Sequence, residues 1–438
     1  MAVTIHGAAT LAPFAPVDQR AVRRANLGVV LQHVAARGPL SRARIAAETG
    51  LNKTTVSSLV AELVSTRLLQ GTGDDERTGM VGRPAQTVQL NPDGAFSLGL
   101  EIHFDYLSAC ATDLSGQVRY AREVTVNNRA SDPEHVIDRL AELAGDALDL
   151  ADRDRLPAVG VTIAAPGLVD VEAGLSVASP DLGWKRVPIV EMLAERLGRP
   201  ELPVRADNES NLGALAELWA GAGRGLRDFV YVSSPHGVGA GIVLHGELYR
   251  GAHGFAGELG HVTVDPEGPP CTCGSRGCLA MLVGEDALMA IAADHDVPSA
   301  TAPVAARGLA ARIREGDADT AAAVGRMGRW LGIGLADMVN LLDPEAVVLG
   351  GCLGALAEWL QPPLREALSS GALATDCASC RIVPSPLGEV AAVRGAAALA
   401  LRELIADPTS IRELLRDPGG SAHRGAPRRR LVRTLHAT

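Results

Sequence analysis

The chain has 438 residues, a net charge of −10, 47% hydrophobic residues and only 3% aromatics. That length allows two or three domains around an aliphatic core, and no stretch approaches the roughly 20 consecutive apolar residues that cross a bilayer. A helical membrane protein is excluded, a cytoplasmic one is expected, and with its thiols reduced clustered cysteines favour a metal over disulfides.

The opening run MAVTIHGAATLAPFAPVDQR has no basic residue ahead of its apolar part, unlike a signal peptide, and residues 1–19 are expected to be disordered. Residues 20–90 carry ten Lys/Arg against five Asp/Glu, so this part is basic while the remainder holds −15. A cationic head on an acidic body predicts that the head alone meets a polyanion.

Within that head, Leu27, Val30, Leu31 and Val34 recur at helical spacing until Gly38-Pro39. Ser41 caps a short predicted helix from Arg42 to Thr49, ended by Gly50, and Asn52 caps a third whose inner face is Val56, Leu59, Val60 and Leu63. Two helices about a Gly-containing turn, the second polar at its start, form a helix-turn-helix. The residues expected to meet DNA are Arg42, Asn52, Lys53, Thr54, Thr55, Ser57 and Ser58, being short or basic side chains able to approach phosphates and base edges. The run GTGDDERTGMVGRPAQTVQLNP places β-type segments around a Gly-rich tip, as in a wing, with Arg83 directed at a phosphate ridge or a narrow minor groove.

After Asn91-Pro92 the pattern turns α/β. FSLGLEIHFDYLSACATDLSGQVRYAREVTV reads strand–turn–strand–turn–strand, and DFVYVSSPHGVGAGIVLHGELYRG repeats that layout. Helices are predicted over Pro133–Ala151, Val187–Leu197, Ser210–Ala222, Asp286–Ala293, Asp317–Leu342, Gly354–Ser369 and Val390–Leu404. A duplicated α/β lobe with a cleft between the copies accommodates this order. The first lobe is assigned residues 95–205, joined by the final helix 388–404, and the second lobe 206–387. Residues 405–438, rich in Gly, Pro and Arg, are expected to be a disordered basic tail.

Three of the seven cysteines lie in GFAGELGHVTVDPEGPPCTCGSRGC. His261-x9-Cys271-x-Cys273-x4-Cys278 supplies four ligands of the kind tetrahedral Zn²⁺ accepts, and a closed shell implies a structural ion. Metal on one ring nitrogen of His261 locks the ring and leaves the other facing the cleft. Cys110, Cys352, Cys377 and Cys380 read as buried small apolar residues.

The motifs VTIAAPGLVD, DNESNLGALAELWAGAGRG, AGELGH, CTCGSRGC and VNLLDPEAVVLGG resemble those of the ROK family (repressors, open reading frames and sugar kinases), over roughly residues 20–403. The resemblance implies a winged helix-turn-helix ahead of a two-lobed actin-like, ribonuclease-H-like ATPase fold, as in xylose-repressor-like regulators. It implies a structural zinc at His261, Cys271, Cys273 and Cys278, and sugar contacts at Pro166, Gly167, Asn208, Glu209, Glu258 and His261. It departs from the family at Ala280, where a sugar-binding Glu is usual, and at Glu209, where family kinases carry the Asp general base. Glu101 stands for the Asp of the first phosphate hairpin, His103 and Phe104 for its glycines, and Pro235 removes an N–H donor from the second.

The expectation is therefore a DNA-binding regulator, a repressor, that senses a sugar, binds a double-stranded operator as a homodimer or homotetramer, and uses no ATP. The alternatives are a sugar kinase with a DNA-binding head, or a regulator that has lost its effector.

Overall fold

The computed structural model describes residues 18–76, 85–129, 131–180, 182–234, 237–297, 301–373 and 380–411. Arg83 at the predicted wing tip, Pro235, Cys377, residues 1–17 and residues 412–438 lie outside them. The chain divides into two compact units, a head of Met1–Asn91 with Glu403–Glu413, and a body built on Pro92–Arg402.

The head comprises α1 (Gln19–Arg37), β1 (Leu40–Ser41), α2 (Arg42–Thr49), α3 (Lys53–Ser65), β2 (Leu69–Glu76) and β3 (Ala85–Leu90), its strands ordered β1-β3-β2. Ser41 and Asn52 cap α2 and α3 as the sequence predicts, and Asp18 caps α1. Asp18 accepts from the Arg20 N–H at 2.9 Å, Ser41 from Arg44 at 3.4 Å, and Asn52 from Thr55 at 2.7 Å. Leu27, Val30, Leu31 and Val34 of α1 meet Ile45 of α2 and Val56, Leu59, Val60 and Leu63 of α3 in a buried core. Each of these side chains contributes about 1.5–3 kcal/mol by leaving water. β2 and β3 pair antiparallel from Leu69↔Leu90 to Glu76↔Ala85, as a wing requires.

In the body, β4 (Phe96–Ile102), β5 (Tyr106–Asp113) and β6 (Val118–Thr125) precede α4 (Pro133–Asp154), β7 (Ala158–Ala165), a small sheet of β8 (Leu168–Asp170), β9 (Leu175–Ser179) and β10 (Trp184–Val187), α5 (Ile189–Leu197) and β11 (Val204–Asn208). The second half begins with α6 (Glu209–Ala220) and continues through β12 (Phe229–Ser233), β13 (Gly239–Leu244), β14 (Glu247–Tyr249), α7 (Leu279–Val283), α8 (Glu285–Asp294), α9 (Ala302–Arg314), α10 (Ala318–Leu342), β15 (Ala346–Leu349), α11 (Gly351–Ala355), α12 (Ala357–Gly371) and β16 (Arg381–Pro384). Helix α13 (Ala391–Ala406) follows.

The two five-stranded sheets run β6-β5-β4-β7-β11 and β14-β13-β12-β15-β16. In each, three antiparallel strands are followed by two parallel ones, so the duplication seen in the hairpins extends through both sheets. Each sheet has its own core. Leu98, Leu100, Ile137, Leu140 and Ile163 anchor the first, and Val230, Val232, Leu331, Leu335 and Val347 the second.

Helix α9 was not foreseen: its buried face is Ala305, Ala306, Leu309 and Ala310, and alanines mark a helical stripe weakly. The final helix outruns its expected end at Leu404. It reaches Ala406 and continues into a 3₁₀ turn, Pro408–Ser410, because Leu404, Ile405, Pro408 and Ile411 are all buried. The segment expected to be tail is thus ordered as far as Ile411.

Candidate functional site

On the head, Asn52, Lys53, Thr54, Ser57 and Ser58 are exposed along the first turns of α3, with Thr55 and Arg42 half-buried. Two of these groups already have duties. Asn52 caps α3, and Ser58 accepts from Arg23 of α1 at 3.2 Å, whose guanidinium also holds Glu62. Glu48 braces α2 through Arg44 (2.7 Å) and His33 of α1 (2.7 Å), and those two hydrogen bonds hold its carboxyl below the usual range. Lys53, at the N-terminus of α3, is an exposed cation.

In the body, the chain after β14 turns back on itself to gather His261, Cys271, Cys273 and Cys278, whose ligand atoms all lie within 4.8 Å of one another. Cys271 Sγ stands 3.7 Å from His261 Nδ1, and Cys273 Sγ 3.7 Å from Cys278 Sγ. Two thiolates at about 2.3 Å from a common tetrahedral ion are separated by about 3.8 Å, so the group has the spacing of a zinc shell. The turn depends on Gly277, which sits at φ 61° against the Asp265 carbonyl, where a methyl group would overlap it. Burial pushes the Cys278 thiol up to about 12, whereas the Ser275 backbone N–H first, and the neighbouring ligands after it, bring Cys273 down to about 7. Because Nδ1 is the ring atom facing the sulfurs, Nε2 of His261 is left for another partner.

The residues expected to face a cleft come from both halves of the body. Asn208 ends β11 and caps α6, its Oδ1 accepting from the N–H groups of Ser210 (2.8 Å) and Asn211 (3.2 Å). Its Nδ2 donates to the Gly167 carbonyl (2.9 Å) and to Glu209 Oε2 (3.2 Å), so Asn208, Glu209 and the Pro166-Gly167 loop meet as the sequence predicts. Glu258 and His261 belong to the loop after β14. Both groups border the first residues of β13: Gly239 packs against the Ser210 hydroxyl, and the Ala240 N–H donates to the Gly257 carbonyl at 3.0 Å. Desolvation raises the Glu258 carboxyl, with the His261 ring opposing. Ser210 Oγ and Asn211 Oδ1 are buried without a hydrogen-bond partner.

Sequence reasoning passed over the group beside them. Asp207 is paired with Arg250 at 2.9 and 2.6 Å, and the acid directly before the Asn-Glu motif was the only signal for it.

On the other side of the cleft the β4–β5 turn is filled by side chains. Glu101 is buried, both its oxygens accepting at 3.2 Å, from Tyr106 Oη and Ser108 Oγ, and burial pushes its pKa up to about 7. His103 stacks on Tyr106 with ring centroids 4.1 Å apart, and Phe104 is buried beneath the Arg129 guanidinium, 3.7 Å from its centroid. His103 Nδ1 accepts from the Asp105 N–H (3.1 Å), so in the neutral ring Nε2 carries the proton, 3.8 Å from Glu285 Oε2 of the second lobe.

Glu285 is pushed up to about 8, by burial first and by Asp105 next, with Arg129 opposing. A carboxyl whose pKa rises on folding binds more protons folded than unfolded, so stability declines as pH climbs from the usual carboxylate range toward 8. Glu285→Gln is therefore expected to raise the melting temperature relative to the parent chain at pH 8, and by much less at pH 5, in paired thermal melts. An equal gain at both pH values would contradict the assignment.

The profile of the ROK family matches residues 97–403. The chain belongs to the ROK family. Residues 27–73 match the IclR helix-turn-helix domain. The xylose repressor of Bacillus spizizenii is 29% identical over 388 residues, covering 89% of this chain and 98% of its own. Among solved structures, a ROK family transcriptional regulator described as a homologue of the Escherichia coli Mlc protein aligns with a TM-score of 0.74 at 25% identity, covering 90% of this chain and 100% of its own. A ROK glucokinase from Streptomyces griseus, in complex with glucose and AMPPNP, aligns with a TM-score of 0.61 at 26% identity over 70% of this chain and 99% of its own. The ROK relatives thus include a repressor matched over 89% of this chain and a kinase matched over 70% of it. The fold is the actin-like ROK fold preceded by a helix-turn-helix. Among the described residues no helix is long and apolar enough to cross a membrane.

Proposed function

We propose that the chain is a sugar-responsive, DNA-binding repressor whose body keeps the ROK sugar cleft and has given up nucleotide chemistry. The observation that carries this reading is the pairing of a helix-turn-helix head with a β4–β5 turn occupied by His103 and Phe104. A phosphate hairpin works by letting backbone N–H groups reach the phosphates, and buried rings at those positions close that approach. Glu101 is committed to Tyr106 and Ser108, Glu209 carries its carboxylate one methylene further out than an Asp base, and Pro235 has no N–H. The full-length similarity to the Bacillus xylose repressor supports the same reading.

The roles assigned are as follows. Residues 20–90 bind double-stranded operator DNA through Arg42, Asn52, Lys53, Thr54, Thr55, Ser57, Ser58 and Arg83. The lobes 95–205 and 206–387 hold the sugar between them, at Pro166, Gly167, Asn208, Glu209, Glu258 and His261. The unpartnered Ser210 Oγ and Asn211 Oδ1 give a hydroxyl-rich ligand, or its water, further groups to satisfy. Zn²⁺ is held by His261, Cys271, Cys273 and Cys278, and when bound it fixes the imidazole. The Nδ1-to-sulfur approach leaves Nε2 to meet a sugar hydroxyl. Two copies at least are needed to read a palindromic operator.

The test is calorimetry of the purified full chain against free pentoses and hexoses, beside a coupled ATP assay on the same panel. At least one sugar is expected to bind, Glu258→Gln to weaken it about tenfold, and no ATP-dependent turnover to approach about 1 per second. Turnover at that rate would make the chain a kinase instead.

A further inference from the structure

The carboxylate of Asp207, next to Asn208, accepts four hydrogen bonds and is 2% exposed. Its Oδ1 accepts from Arg250 (2.9 Å), from the Asn208 N–H (2.8 Å) and from Asn211 Nδ2 (3.3 Å), while Oδ2 accepts from Arg250 at 2.6 Å. Asp207 lies on β11, the edge strand of the first lobe's sheet, which runs past the expected lobe boundary at 205 as far as Asn208, and Arg250 directly follows β14, at the edge of the second lobe's sheet. The ion pair therefore crosses between the lobes immediately behind Asn208. A guanidinium fork fixes both the position and the plane of a carboxylate, which an ammonium does not. That plane sets the direction of the Asn208 N–H. Asn208 in turn caps α6 and donates to Gly167 and Glu209, with all its amide groups engaged.

We infer that Arg250 is a positioning residue of the effector cleft: by gripping Asp207 from the opposite lobe, it sets the angle at which Asn208 and Glu209 are presented and makes effector affinity depend on how the lobes stand. This rests on the proposed sugar cleft. Arg250 touches no ligand; it acts through Asp207. A sugar hydroxyl reaches the Asn208 amide only by taking the place of the 3.2 Å bond to Glu209, and that exchange requires the amide to be held still while Glu209 turns.

The pair also carries structural weight, and the two roles separate by experiment. Removing one partner of a buried ion pair leaves an uncompensated charge, whereas removing both does not. The full chain is compared with R250K, R250M and the double variant D207N/R250M, by calorimetry with the free pentoses and hexoses and by thermal melting. R250M is expected to lose about tenfold or more in sugar affinity, the worth of one misaligned hydrogen bond to a charged or strongly polar group, and to melt below the parent. R250K, with charge but no fork, is expected to melt near the parent and still lose affinity by a few fold. D207N/R250M is expected to regain most of the melting temperature and little of the affinity.

Recovery of affinity together with melting in the double variant, or parent-like affinity in R250M, overturns the inference and leaves the sugar cleft standing. A parent chain that binds no sugar on the panel overturns the cleft and the inference together. Should R250M fail to fold, R250K and the double variant still decide the matter.

Discussion

A Cys278→Ser chain is expected to lose stoichiometric zinc, its affinity falling by more than about 100-fold, since replacing even a group behind a ligand costs about 10- to 100-fold. Cys278 is fully buried, its main chain bridges Thr263, and its Sγ stands 3.7 Å from Cys273. A serine hydroxyl is a poor, neutral substitute for a thiolate, and the two remaining sulfurs with one imidazole leave the shell open. Because the short turn that opens the same loop carries His261, sugar affinity is expected to fall with the metal. Competition against a chromophoric chelator reads zinc directly, and calorimetry reads the sugar. One zinc per chain at parental affinity in the serine variant would remove the metal assignment.

Reversal of charge at Lys53 is expected to have the second-largest effect. The residue opens α3, where the unpaired N–H groups and the helix dipole already favour a phosphate, and its side chain is exposed. Each phosphate neutralised by a basic group adds about 0.9 to the slope of log affinity against log salt. Lys53→Glu replaces an attraction by a repulsion, so affinity for duplexes selected by the parent chain from a random library should drop at least tenfold near 0.15 M salt, with the slope shallower by about 1. The loss should be similar across sequences, whereas Thr54→Ala should chiefly blur preference at a base position. Fluorescence anisotropy over a salt series distinguishes them. Unchanged affinity and slope for Lys53→Glu would place the DNA on another face.

Much of this was legible in the chain because the informative residues act locally. Ser41 and Asn52 cap the helices that follow them, and spacing alone gathers His261 with Cys271, Cys273 and Cys278. The duplicated hairpins announced two lobes, and the sheets repeat each other strand for strand. What escaped depends on residues distant in sequence or on weak patterns. Arg250 gains meaning only when β14 and β11 come together, and the hydrogen bond that Arg23 of α1 donates to Ser58 joins two helices that spacing does not link. Helix α9 hid behind alanines, and His103 and Phe104 could be read as departures from a glycine pattern but not as rings packed under Tyr106 and Arg129.

Gly28 of α1 lies so close to the carbonyl of Ala406 that any larger residue would strike it, Arg24 pairs with Asp407, and Ile411 is fully covered. The residues that complete the head are therefore translated only after the whole of Pro92–Arg402. A nascent chain holds the head's first ninety residues without the strap that closes them, so a stable head has to await synthesis past Ile411. A cut that removes this strap would weaken the head while leaving both sheets of the body in place.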